Sequence, residues 1–224
     1  MRDASENTVS AENQLIKTNR IFYLGNPNAA KRLLIVGNSI TRHGPSESIG
    51  WHWDWGMAAS APEKDYVHLL HSMIEADQKD VLIMVRQASS WERGHAAENA
   101  LDDFSVEHEF GADVVLFRFM ENVPKDSDME NFERCYNQLI DHICPKGSQP
   151  IFTSTVWKSD IKNELTQKIA EERNAPVVDL LEIGRNDDMM AIGLFEHHGV
   201  SIHPGDKGMQ YIADEIYKVL KNYL

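Results

Sequence analysis

The chain is poor in cysteine, in basic residues and in long apolar runs, and each shortage narrows its class. Only two cysteines, Cys135 and Cys144, occur in 224 residues. They lie nine positions apart in one segment of helical composition, a geometry unsuited to pairing, so they read as buried thiols. Lysine and arginine total 22 against 35 aspartates and glutamates, a net charge of −13 that excludes nucleic acid and anionic membrane surfaces as natural partners. No apolar run approaches bilayer-spanning length, and the polar start Met1-Arg-Asp-Ala-Ser-Glu-Asn lacks the apolar stretch of a secretory signal. A cytoplasmic location is the expectation, although a mature exported form would share these features. Internal repeats and low-complexity tracts are also missing.

What remains is the composition of a globular chain. With 42% hydrophobic and 25% charged residues, it has enough apolar material for a well-developed core in one domain over residues 1–224. Residues 1–20 are polar and read as a flexible or edge extension, and 21–24 as a short edge strand. Apolar runs at 32–37, 81–85, 113–119, 151–156 and 176–180 read as five strands. Between them, helices are expected over about 65–76, 92–104, 127–143 and 160–173, with a last one after Pro204-Gly205. Ser127-Asp-Met-Glu130 has the pattern of a capping box. Strands joined by helices pair in parallel, which predicts a three-layer α/β/α fold with a five-stranded parallel sheet. In such open sheets ligands bind beyond the carboxyl ends of the strands. Ser39, the segment 86–90, Asn122 and Trp157 all fall there.

The stretch Leu33-Leu-Ile-Val-Gly-Asn-Ser39 ends a buried strand on a serine hydroxyl. A serine is a weak nucleophile until a base takes its proton, and His203-Pro204 near the other end of the chain offers one. Asn122, after the third strand, offers an amide donor for a developing oxyanion. Singly these read as a turn residue, a loop histidine and a turn former. Converging on one rim, they have the makings of an acyl-transfer site.

In these residues the chain resembles the SGNH, or GDSL-like, hydrolases. Gly37-Asn38-Ser39-Ile40-Thr41 is similar to that family's nucleophile block, Asn122 to its oxyanion asparagine, and His203-Pro204-Gly205-Asp206-Lys207-Gly208 to its histidine block. The resemblance implies a flavodoxin-like fold and an ester hydrolase without cofactor or metal. Ser39 would be the nucleophile, His203 the base, and the Ser39 N–H and Asn122 amide would form the oxyanion hole.

Two departures stand out. The family's aspartate three residues before the histidine is Val200 here, so His203 is oriented either by a backbone carbonyl, as a dyad, or by a relocated carboxylate such as Glu196 or Glu92. Asp206 reads instead as the cap of the last helix. The family's glycine block is replaced by Arg86-Gln-Ala-Ser-Ser-Trp-Glu-Arg93, so that Ala88 or Ser89 would supply the third oxyanion donor. Trp53 and Trp55, within Gly50-Trp-His-Trp-Asp-Trp-Gly56, and Trp91 and Trp157 read either as core packing or as an aromatic wall for a sugar ring. The second reading points to an O-acetylated carbohydrate as substrate, in preference to a long acyl chain. The competing readings are a flavin or phosphate binder of the same fold, a non-catalytic carbohydrate-binding module, and an acyltransferase using the same residues.

Overall fold

The computed structural model describes residues 20–224; apart from Arg20, the expectation of a flexible or edge-forming segment at 1–20 lies outside the described residues. In chain order the elements are β1 (Ile21–Gly25), β2 (Lys31–Gly37), α1 (Tyr66–Ala76), β3 (Val81–Gln87), α2 (Ser89–Gly94), α3 (Ser105–Phe110), β4 (Val114–Arg118), α4 (Met129–Ile143), β5 (Gln149–Thr153), α5 (Asp160–Glu172), β6 (Val177–Val178), α6 (His198–Ser201) and α7 (Asp206–Leu220). They build one sheet in the order β1-β3-β2-β4-β5-β6.

Strands β2 to β6 pair in parallel throughout. Taken alone, those five follow the flavodoxin-like order 2-1-3-4-5. The expected five-stranded parallel sheet is thereby corrected to a mixed sheet of six, because β1 adds antiparallel to β3, with Phe22 opposite Val85. The half-exposed burial pattern of β1 suits an edge, which needs one neighbour and one covered face.

Strand β2 shows why the sheet lies in the middle of three layers. Successive side chains point to opposite faces. Leu33 and Ile35 join a core with Tyr66, Val67, Leu70 and Ile74 of α1 and Met209, Ile212 and Ile216 of α7. Leu34 and Val36 join the opposite core, with Phe132, Tyr136 and Leu139 of α4 and Ile169 of α5. All four strand residues are fully buried, each contributing about 1.5–3 kcal/mol from its removal from water.

Several local expectations are revised. The helix placed over 92–104 is instead α2, ending at Gly94, followed by turns and a short 3-10 turn at Asp102–Phe104. The cap of α4 is Asp128, whose carboxylate accepts from Glu130 N and Asn131 N, not Ser127. Asp206 does not cap α7 but accepts from the backbone N–H and hydroxyl of Ser60, tying that helix start to the loop after β2. Cys135 and Cys144 are free thiols, the first buried and the second partly so.

Candidate active site

Ser39 follows β2 and Asn122 follows β4, neighbouring strands whose connections leave in opposite directions. This is the switch point where an open parallel sheet leaves a crevice. The turn into Ser39 depends on Gly37, where a Cβ would fall 1.7 Å from Thr41 Oγ1. Thr41 in turn is fixed by a 2.7 Å bond to the Tyr66 hydroxyl. The Asn38 carbonyl accepts from Thr41 N and Arg42 N, closing the turn.

His203 arrives from the short segment between α6 and α7. Its Nε2 lies 2.8 Å from Ser39 Oγ, and its Nδ1 lies 2.7 Å from the Gly199 carbonyl oxygen. A carbonyl only accepts, so Nδ1 carries the proton and Nε2 presents its lone pair to the serine hydroxyl, which donates. Of the orienting groups left open by the sequence, the backbone carbonyl is the one in place. Val200 is buried in an apolar cluster with Trp51, Met57, Ala58 and Ala191, Glu196 is exposed, and Glu92 serves elsewhere. Burial drives the imidazole pKa down to about 4, so the ring is neutral at physiological pH.

Glu92 lies behind Asn122. Its carboxylate accepts from Met120 N at 2.6 Å, Asn122 N at 3.1 Å and Asn122 Nδ2 at 2.7 Å. These bonds hold a turn in which Met120 adopts φ 112°, a conformation that side-chain-bearing residues rarely take. Lys162 Nζ secures the same turn from below through the Glu121 and Val123 carbonyls. Burial, reinforced by the neighbouring Glu121, pushes the Glu92 carboxyl up to about 7. Burial alone would raise Glu121 as well, but the Arg118 guanidinium and hydrogen bonds from Arg118, Val156 and Asn38 reverse this and hold it below its ordinary value. Neither glutamate is distinguishable in sequence from an exposed helix or loop residue.

A cavity of about 200 Å³ opens over the pair, lined among others by Ser39, Ser89, Asn122 and His203. His43, Met57, Arg93 and His197, which no motif signalled, also line it. The Ala88 N–H is bonded to the Gly37 carbonyl, so Ala88 is excluded as an oxyanion donor. Ser89 lines the cavity from the first position of α2, where an N–H has no partner within the helix. The Ser39 N–H likewise meets no acceptor among the described residues.

The tryptophans do not line the cavity. Trp91 is a core residue, packed among Phe104, Phe119, Phe132 and Tyr136, and is corrected as a substrate contact. Trp157 packs edge-on against the His203 ring at 5.2 Å and donates to the Ile202 carbonyl, so it walls that imidazole. Trp55 donates to the Ala59 carbonyl and Trp51 to the His43 carbonyl, which anchors the cavity-lining loop. Trp53 is the exposed member of that cluster, at 40%.

No protein-family sequence profile and no curated protein matches the chain. Solved structures do. A family two carbohydrate esterase from Clostridium thermocellum superposes with a TM-score of 0.59 at 13% identity, over 89% of this chain and 66% of its own. A two-domain esterase active on acetylated mannans gives 0.57 at 17%, over 92% and 56%. A protein described as lipolytic and of the G-D-S-L family, from Desulfitobacterium hafniense, gives 0.54 at 15%, over 84% and 99%. This is the SGNH hydrolase fold. In this chain Ser39 and Asn122 stand just past the carboxyl ends of β2 and β4, and β1 is an added edge. Among the described residues, no helix is long and apolar enough to cross a membrane.

Proposed function

We propose that the protein is a serine esterase that removes small acyl groups, O-acetyl above all, from a carbohydrate. The observation that carries this reading is the 2.8 Å contact between Ser39 Oγ and the unprotonated Nε2 of His203. Ser39 Oγ attacks the ester carbonyl as His203 Nε2 takes its proton. The tetrahedral oxyanion receives the N–H of Ser39, the N–H of Ser89 and the second amide hydrogen of Asn122 Nδ2, the first being held by Glu92. His203 then returns the proton to the leaving alkoxide, and a water repeats the sequence on the acetyl-serine. The pair acts as a dyad, with the Gly199 carbonyl fixing the tautomer.

The small cavity favours a short acyl group. The structural neighbours include family two carbohydrate esterases and a two-domain esterase active on acetylated mannans. The exposed face of Trp53 supports a sugar ring outside the cavity. The test is hydrolysis of 4-nitrophenyl acetate by the wild type, Ser39→Ala and His203→Ala. Both variants should remain folded and lose about a thousandfold or more in kcat. The acid limb of wild-type kcat/KM should fall near pH 4, since His203 acts as a base only when neutral. A folded wild type that neither releases acetate nor is labelled by a fluorophosphonate would overturn the reading in favour of a binding module. Labelling with acetate released only onto an added sugar would replace hydrolysis by transfer.

A further inference from the structure

The cavity is charged opposite to the chain. In a protein with 35 acidic and 22 basic residues, the ionisable lining of the cavity consists of His43, Arg93, His197 and His203, with no carboxylate among it. Arg93 is the permanent charge. Its side chain is exposed at the mouth, and among the described residues no carboxylate pairs with it. The neighbouring acids are already engaged. Asp54 takes Arg42 in a two-pronged contact at 2.7 and 2.6 Å, and Glu92 is turned away beneath Asn122.

The guanidinium is nevertheless placed. Its Nη1 donates to Asn122 Oδ1 at 3.2 Å and its Nη2 to Ser89 Oγ at 3.3 Å. Both contacts are long and to neutral groups, and they leave most of its five N–H donors unspent. Across the cavity, burial lowers the His43 pKa and the charge of Arg93 lowers it further, as expected of two groups facing one space. A cation fixed beside a reacting ester, without a protein anion, recognises an anion on the ligand, and the arginine fork fits a carboxylate in two-pronged fashion.

Building on the esterase reading, we propose that the substrate is an ester of an acidic sugar, whose carboxylate is bound by Arg93 at the cavity mouth. Arg93 then determines specificity, and uronic-acid units are the chemistry it selects.

The experiment compares acetate release from a fully O-acetylated methyl glucuronoside with release from its carboxamide, which keeps the shape and removes the charge. In the wild type kcat/KM should favour the carboxylate by about tenfold to a hundredfold. That ratio should fall to about one in Arg93→Met and survive in part in Arg93→Lys. A wild-type ratio near one, with both esters turned over, overturns this inference and leaves the esterase reading standing. An equal loss on both esters in Arg93→Met, with the ratio intact, also overturns it and assigns Arg93 to the oxyanion instead. If neither ester is turned over while 4-nitrophenyl acetate is, the inference is overturned and the esterase reading stands; if none of the three is turned over, the esterase reading fails, and calorimetric binding of methyl glucuronoside decides the inference alone. Binding weakened about tenfold or more in Arg93→Met supports it, and equal or absent binding in both proteins overturns it.

Discussion

The two halves of the site are held by opposite means. His203 stands on a backbone carbonyl, against the edge of Trp157 and beside the buried Val200, with no carboxylate bonded to its ring. Asn122, which lines the same cavity, rests on two buried glutamates, an arginine and a lysine. In the proposed mechanism His203 must gain a proton and lose it again, and an apolar setting keeps it neutral and ready to accept. An oxyanion donor must not move at all, and a network of charge-assisted bonds around a strained turn supplies that rigidity. The candidate site therefore gathers its buried ionisable groups around Asn122 and bonds His203 to a neutral carbonyl.

The most damaging way to break this contrast is to put charge on the base side. Val200→Asp restores the residue type that the SGNH resemblance expects, but the new carboxylate would stand among Trp51, Met57, Ala58 and Ala191. We expect it to lower unfolding stability by about 3 kcal/mol or more in urea titrations, without capturing His203 Nδ1 from Gly199. Wild-type stability together with improved turnover would refute the claim that this side is built to exclude charge. Removing charge from the other side should act on rate. Glu92→Gln keeps the shape but replaces one acceptor oxygen by an amide donor facing Asn122 or Met120. The expected result is a kcat reduced by about tenfold to a hundredfold with KM little changed, read by steady-state kinetics. An unchanged kcat would mean that Asn122 needs no such support.

How far the sequence foretold this contrast depends on the kind of signal. Strands β2 to β5 were legible because buried parallel strands are continuous apolar runs, and Ser39 and His203 because their flanking residues are distinctive in series. The parallel three-layer architecture followed from alternation of strands and helices, and the flavodoxin-like fold from the SGNH resemblance alone. The antiparallel pairing of Ile21–Gly25 was not legible, since an edge strand's pattern does not encode its direction. The segment after Gly94 read as helix from composition, whereas its path is set by burying Phe104 against Trp91. Glu92 was legible only as a possible partner of His203, because a carboxylate's burial depends on donors that arrive from distant β4, and Arg93 carried no signal beyond the missing glycine. The tryptophans misled for a related reason, because alternate aromatics serve a core and a sugar equally well until their neighbours are known.

The contrast sharpens most finely in how each half responds to pH. Burial holds the pKa of folded His203 near 4, while unfolded it returns to about 6.5. Between those values the unfolded chain binds the extra proton, so the stability that neutral His203 confers rises with pH and is complete above about 6.5. Glu92 runs the other way. Its folded pKa is about 7 and its unfolded one about 4.3, so between them the folded protein holds the extra proton and stability falls as pH rises. Measured as the stability of wild type minus that of His203→Asn, the difference should increase from pH 4 to about 6.5. Wild type minus Glu92→Gln should decrease over about 4.3 to 7, each with a slope of at most about 1.4 kcal/mol per pH unit. Opposite slopes follow from burial acting on a base and on an acid, so slopes of the same sign in the two differences would show that the hydrogen bonds to Glu92 outweigh its burial and hold its pKa below the unfolded value.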